Sequence, residues 1–199
     1  GSELISSLRE ELIALLLDNS AAFALRAEAS DRLIELEPPT YWPDILRQLL
    51  IQASENSARL ASDLMDKVGY EQFDDALVLD IVMAQLDRSI NTFGHFFRLE
   101  RNLPLDRISP LLDGIVSAQN HQDDREGRQQ LRTISELVFA LLARRLAAPI
   151  SDICQLWRLL KPFSTAHGVQ GAKRKAVADR LRSNDELRRA LQRQAILVS

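Results

Sequence analysis

Cysteine is almost absent from this sequence. Of 199 residues only Cys154 is a cysteine, which excludes an intrachain disulfide and any metal site built from several thiolates. Because free thiols persist in reducing compartments, we expect a cytoplasmic location. No histidine stands beside Cys154 to activate it, so we interpret it as a buried structural thiol and not as a nucleophile.

Long hydrophobic runs are absent too. The longest spans residues 137–143, far short of the roughly 20 residues of a membrane-spanning helix. No basic, apolar and small-residue leader opens the chain, so the sequence predicts no membrane partner. Gly1 and Ser2 are typical of residual cloning sequence, from which we expect the chain to be part of a larger multidomain protein.

Glycine is scarce, with seven residues, and β-branched residues rarely alternate with polar ones. The hydrophobic share of 46% and the charged share of 27% are ordinary for a folded globular protein. Leucine, alanine, arginine, glutamate, aspartate and glutamine dominate, and apolar residues recur at helical spacing throughout. The sequence therefore predicts an all-α protein of nine to eleven helices.

A faint repeat relates residues 25–36 to residues 57–68. Shifted by 32 positions, the segment 29–31 (Ala-Ser-Asp) coincides with 61–63, and the apolar positions of 45–50 coincide with those of 77–82. Self-similarity at this period is typical of stacked helical hairpins. We expect antiparallel hairpins over residues 1–119 and a less regular C-terminal helical bundle over residues 120–199, packed together as one unit.

Local signals mark several helix ends. The pair Pro38 and Pro39 disfavours helix in the preceding residue, and Gly69 suits a C-terminal cap at positive φ. Asn184 lies in a segment, 183–186, that is typical of an N-terminal cap. A helix carrying the aromatic residues between 90 and 99 is expected as the second helix of a third hairpin, and residues 120–127 are expected to form an exposed loop.

No catalytic constellation is apparent. The histidines His95, His121 and His167 are far apart and none forms a pair at helical ligand spacing, so we expect no metal site. The glycines of the segment 168–173 lack the spacing and the following Ser or Thr of a phosphate loop, so we expect no nucleotide cofactor. We predict a module without catalytic activity; a helical enzyme with a site assembled from distant residues, His95 and Cys154 first among them, remains the alternative.

Charge is distributed unevenly. Residues 170–199 hold eight basic and three acidic residues, a net charge of +5, against −8 for the rest of the chain. Five basic residues are candidates for contact with a partner or a phosphate: Lys173, Arg174, Lys175, Arg188 and Arg189. Nucleic-acid binding by this basic tail is one alternative, although the tail lacks aromatic residues for base stacking.

We favour a basic tail that folds back onto the acidic remainder of the chain. The tail also contains apolar residues that require burial irrespective of its charge. They are Leu181, Leu187, Leu191, Ile196 and Leu197.

The segments 29–34 and 61–66, each the centre of a predicted second hairpin helix, resemble HEAT-like helical repeats. The segment 179–191 is similar to helical regions of bacterial STAND-type NTPases with NACHT domains, some of which act in antiviral defence. No Walker residues are present, so that resemblance implies a non-catalytic segment. Together they imply a protein-interaction or scaffold module whose partner is another protein or other domains of the parent chain.

Overall fold

The computed structural model describes residues 2–36, 41–88, 96–119, 127–150, 152–161 and 171–198. In these segments the chain forms eleven α-helices and no strand, so the all-α prediction is confirmed. None of the described helices combines the length and the apolar character required to cross a membrane. By backbone contacts the chain separates into two compact units, Gly1–Asn91 (unit 1) and Thr92–Ser199 (unit 2).

Unit 1 holds five helices: α1 (Ser2–Leu17), α2 (Phe23–Glu35), α3 (Trp42–Ile51), α4 (Glu55–Val68) and α5 (Asp75–Arg88). Consecutive helices pack as α1 on α2, α3 on α4 and α4 on α5. Alternate helices are also in contact, since α1 touches α3, α2 touches α4 and α3 touches α5. Each helix therefore buries its apolar side against neighbours that are close in sequence.

In unit 1, two pairs of positions that are 32 residues apart in the repeat are buried to the same extent. Ala29 of α2 and Ala61 of α4 are both inaccessible to solvent, and so are Leu33 and Met65. Small residues at 29 and 61 allow close approach of the two helices, because an alanine side chain adds little bulk at a helix interface. The repeat in the sequence thus corresponds to a repeated pattern of burial.

Helix α4 ends with Gly69 as its C-terminal cap, as the sequence predicted. Gly69 has a φ of +104°, and a Cβ at this position would lie 3.0 Å from Oε2 of Glu71. Its N–H donates to the carbonyl of Met65 at 3.1 Å. Glycine is favoured here because other residues rarely adopt positive φ.

A buried arginine connects three segments of unit 1. Arg26 is 1% exposed, and its Nε donates to the carbonyl of Leu16 at 2.9 Å. Its Nη1 donates to Oδ1 of Asn19 at 3.3 Å, and its Nη2 donates to Oε1 of Gln52 at 2.8 Å and to Oγ of Ser57 at 3.0 Å. Burial lowers the pKa of this guanidinium, and the charge of Asp18 raises it in part.

Unit 2 holds six helices: α6 (Phe97–Asn102), α7 (Leu105–Gln119), α8 (Gly127–Arg145), α9 (Ile153–Leu160), α10 (Gly171–Arg182) and α11 (Asp185–Val198). The long helix α8 packs against α6, α7 and α10, while α9 packs against α7 and α11. The predicted aromatic helix around Phe93 lies largely outside the described residues, and α6 begins only at Phe97.

The second compact unit begins at Thr92. Helices α6 and α7 belong to the second unit because α8 packs on both of them. Arg144 of α8 reinforces this arrangement, donating to the carbonyls of Glu100 at 2.8 Å and Leu103 at 2.7 Å.

The basic tail folds onto its own unit through α10 and α11. Val177, Leu187 and Leu191 are buried, and α10 packs on α8. The expectation that Ile196 and Leu197 are buried is wrong, because these side chains are 76% and 80% exposed at the end of α11. The capping prediction is confirmed by Asn184, whose Oδ1 accepts from the N–H of Leu187 at 3.0 Å.

Candidate interaction groove

Helices α9, α10 and α11 leave an open groove of about 230 Å³ between them, which we call the α9–α11 groove. Most of the side chains that line it are apolar. They are Trp157 and Leu160 of α9, Leu181 of α10, and Leu191 and Ala195 of α11, joined by Arg188 and Gln192. The groove therefore offers an apolar surface to solvent within unit 2.

The position of α9 is fixed by polar contacts at its beginning. Asp152 caps the helix, since its Oδ1 accepts from the N–H of Gln155 at 2.9 Å. Nε2 of Gln155 then donates to Oδ2 of Asp113 on α7 at 2.8 Å. With α9 held in this way, Trp157 and Leu160 lie one turn apart and face the groove.

Helix α11 provides the opposite wall. Leu187 and Leu191 are buried on the side that packs against α9 and α10. Arg188 and Ala195 lie next to this buried side, one turn before and one turn after Leu191, and both line the groove. The groove thus continues the apolar core of the tail helices out to the surface.

Basic residues border the groove. The apolar residues Trp157, Leu160 and Leu181 are each followed directly in sequence by a basic residue: Arg158, Lys161 and Arg182, respectively. Arg158 is turned toward α7, where its Nη2 lies 3.6 Å from Oδ1 of Asp113. Lys161 and Arg182 are the basic residues next in sequence to the groove lining, and Arg188 belongs to the lining itself. Helices α9, α10 and α11 carry nine basic and three acidic residues between them.

Several of these charges have acidic neighbours at the surface. Nη1 of Arg182 lies 3.3 Å from Oδ1 of Asp179, and Nη2 of Arg188 lies 2.7 Å from Oδ1 of Asp185. Exposed pairs of this kind contribute only about 0.2–1 kcal/mol, so they are readily exchanged for other carboxylates. The border remains a positive surface that attracts acidic groups.

The five candidate contact residues do not share one face. Lys173 forms an ion pair with Glu100 of α6, while Arg174 and Lys175 are exposed and point in other directions because consecutive helical positions diverge. Arg188 lines the groove, and Arg189 is exposed on another side of α11. Only Arg188 of the five belongs to the groove.

Two of the residues that line the groove, Leu181 and Leu191, were expected from the sequence to be buried within the tail. An apolar residue followed by a basic one at 160–161 and 181–182 does not mark the groove, because the same pair occurs at 8–9, 25–26 and 46–47. The groove depends on bringing α9 beside α10 and α11, which no local pattern reveals.

The interpretation of Cys154 as a buried thiol is wrong, because Cys154 is exposed. The buried side of α9 is formed by Leu156 and Leu159. Cys154 lies two positions before Leu156, about 200° around the helix, so its thiol points to solvent. It also lies one turn before Trp157, near the groove.

In the described part of the chain, no group of three or more His, Cys, Asp or Glu residues is placed to hold a metal ion. The interpretation of His95, His121 and His167 lies outside the described residues, as does the first half, 168–170, of the glycine-containing segment 168–173.

Comparison of the chain with protein-family models, with curated proteins and with solved structures found no significant match. The resemblances to HEAT-like repeats and to STAND-type NTPases therefore stay predictions. Fold and groove together define an all-α protein with an exposed, basic-bordered apolar groove.

Proposed function

We propose that this chain is a non-catalytic protein-interaction module whose α9–α11 groove binds an amphipathic helix flanked by acidic residues. The observation that carries the proposal is the open apolar groove lined by Trp157, Leu160 and Leu181 and bordered by basic residues. Binding of one apolar helix face in a groove is a recurrent mode of peptide recognition.

Affinity and orientation have separate sources in this proposal. Burial of apolar side chains against Trp157 and Leu191 supplies the free energy, at about 25 cal/mol per Å² of apolar surface removed from water. The positive charges of Arg188 in the groove lining and of Lys161 and Arg182 next to it select acidic flanks and orient the incoming helix, since complementary charge acts mainly on specificity and association rate.

Unit 1 has a supporting role in the proposal, as a short stack of HEAT-like hairpins that acts as a scaffold. The contacts of α1 with α3, of α2 with α4 and of α3 with α5 support this arrangement, because stacked repeats contact only near neighbours in sequence. The shared burial of Ala29 and Ala61 supports it as well.

The test is a calorimetric titration of the chain with a short synthetic amphipathic helix that carries leucines on one face and glutamates beside them. A matched peptide has lysine in place of each glutamate. We expect the acidic peptide to bind in the micromolar range and the lysine peptide to bind at least about tenfold more weakly, a difference of about 1.4 kcal/mol.

Ala195→Arg places a bulky charge in the groove and should weaken binding of the acidic peptide by at least about tenfold. Ala176→Arg, the same substitution at an exposed position of α10, should leave the affinity unchanged. Equal binding of the two peptides, or equal affinities for the two variants, would contradict the proposal. Preferred binding of a single-stranded oligonucleotide with steep salt dependence would favour the nucleic-acid alternative instead.

A further inference from the structure

The basic residues of α10 and α11 differ in whether a carboxylate neutralises them. Three of them form ion pairs within unit 2, and these pairs are Lys173–Glu100, Arg182–Asp179 and Arg188–Asp185. Lys175, Arg189 and Arg193 are exposed, and none of the three forms an ion pair with any residue in the described ranges. We call these three residues the outer cations. Their charge is available to an anion outside the chain.

The outer cations lie on the sides of α10 and α11 that face away from the core. Each is two positions from a buried residue, namely Val177 for Lys175, Leu187 for Arg189 and Leu191 for Arg193. Two positions correspond to about 200° around a helix, so each cation is on nearly the opposite side from the buried residue. Lys173 stands four positions before Val177 and therefore lies on the buried side of α10, where it meets Glu100.

Helices α10 and α11 are neighbours in unit 2. Only residues 183–184 connect them, and their backbones are in contact. The axes of packed helices are about 8–10 Å apart, so charges on the two helices are close enough for one large anion to contact both. None of the outer cations lines the α9–α11 groove. They form a second surface of unit 2, separate from the groove.

We propose that the outer cations bind the phosphate backbone of double-stranded nucleic acid without reading its sequence. Two of the three are arginines, whose planar guanidinium groups match phosphate with paired hydrogen bonds. Residues 170–199 contain no aromatic side chain on which the bases of a single strand could stack, which favours a duplex. This second binding activity is independent of the proposed function, because it does not use the groove.

The number of contacts predicts how salt affects the affinity. Each phosphate contact contributes about −0.9 to the slope of log affinity against log salt concentration, so three contacts predict a slope of about −2.7. Between about 20 mM and about 200 mM salt the affinity should therefore fall about 500-fold. The remainder of the chain has a net charge of −8 and repels the duplex, so we expect measurable binding only at the lower salt concentrations.

Fluorescence anisotropy of a labelled DNA duplex of about 20 base pairs, titrated with the whole chain at several salt concentrations, measures this slope. Each of the variants Lys175→Gln, Arg189→Gln and Arg193→Gln should make the slope less steep by about 0.9. Lys173→Gln is the matched control, since Lys173 is already paired with Glu100, and it should leave the slope unchanged. Two duplexes of unrelated sequence should bind equally.

Glu186 provides a test in the opposite direction. It is exposed and lies one turn before Arg189, where its charge repels phosphate. Glu186→Gln should strengthen duplex binding at low salt about twofold to fivefold, the range of exposed charge interactions. Absence of binding at about 20 mM salt, a change of slope in Lys173→Gln as large as that in Arg189→Gln, or weaker binding by Glu186→Gln overturns the inference. Binding of poly-glutamate in place of the duplex also overturns it and assigns the surface to an acidic protein.

Discussion

Arg26 shows how one charged residue is accommodated in the interior of unit 1. All four of its hydrogen-bond acceptors are neutral oxygens, from the carbonyl of Leu16 and the side chains of Asn19, Gln52 and Ser57. The carbonyl at the end of α1 carries part of the negative end of the helix dipole, which compensates the buried positive charge. Burial lowers the pKa of Arg26, and arginine side chains stay protonated in proteins, so the group keeps its positive charge.

Replacement of Arg26 by methionine should destabilise unit 1 by about 2–4 kcal/mol, because it removes four buried or partly buried hydrogen bonds and leaves the carbonyl of Leu16 without its donor. The measurement is urea unfolding followed by the fluorescence of buried Trp42, in a chain that also carries Trp157→Phe. Arg32→Met is the control, since Arg32 is exposed and its pairs with Glu28 and Glu35 contribute about 1 kcal/mol or less. Equal losses for the two variants would show that the Arg26 contacts are not stabilising.

Residue identity alone predicted some of these environments and not others. Gly69 and Asn184 act locally, through positive φ and a side-chain cap, and both effects were predictable. The burial of Arg26 and the exposure of Cys154 depend on which helices lie beside them, so composition pointed to the opposite outcome for both.

At the scale of whole helices, arginines from neighbouring elements stabilise helix C-termini. The last carbonyls of a helix have no partner within it. Arg26 donates to the last turn of α1, and Arg144 of α8 donates at the end of α6. Arg9 reaches the carbonyl of Leu36, at the end of α2. In these contacts the arginines bind backbone carbonyls, so they join consecutive or nearby helices without using a carboxylate.

Arg144→Met should destabilise unit 2 by about 1–3 kcal/mol, since the carbonyls of Glu100 and Leu103 lose charged donors in a partly buried site. Urea unfolding followed by Trp157 fluorescence, in a chain with Trp42→Phe, reports on this unit. Arg189→Met on exposed α11 surface should change stability by less than about 0.5 kcal/mol. A loss no larger than that of the control would exclude the capping role of Arg144.

Helix positions were well predicted because apolar periodicity and local breakers determine them. The predicted end before Gly69 and the predicted start after Asn184 both agree with the structure. Which side of α9 is buried was not predictable, since Leu156 and Leu159 face α7 and α11 only after the chain has folded.

At the scale of the whole molecule, the distribution of charge could be read from the sequence, whereas the grouping of helices could not. The net charges of +5 and −8 identified the tail as a distinct surface. The groove itself needs contacts of α9 with α11 and of α10 with α8, between segments separated by unrelated sequence. The same long-range packing places α6 and α7 in unit 2 and not with the hairpins.

The central claim is that the α9–α11 groove binds an acidic amphipathic helix, and it can be tested by determining where on the chain the peptide binds. The single cysteine, Cys154, is exposed one turn before Trp157, so a nitroxide label attaches beside the groove without further substitution. With the labelled chain and the isotope-labelled acidic peptide, we expect strong paramagnetic broadening of the peptide leucine resonances, abolished by Ala195→Arg and retained in Ala176→Arg. A peptide that binds with unbroadened leucine resonances would lie elsewhere on the molecule and would contradict the claim.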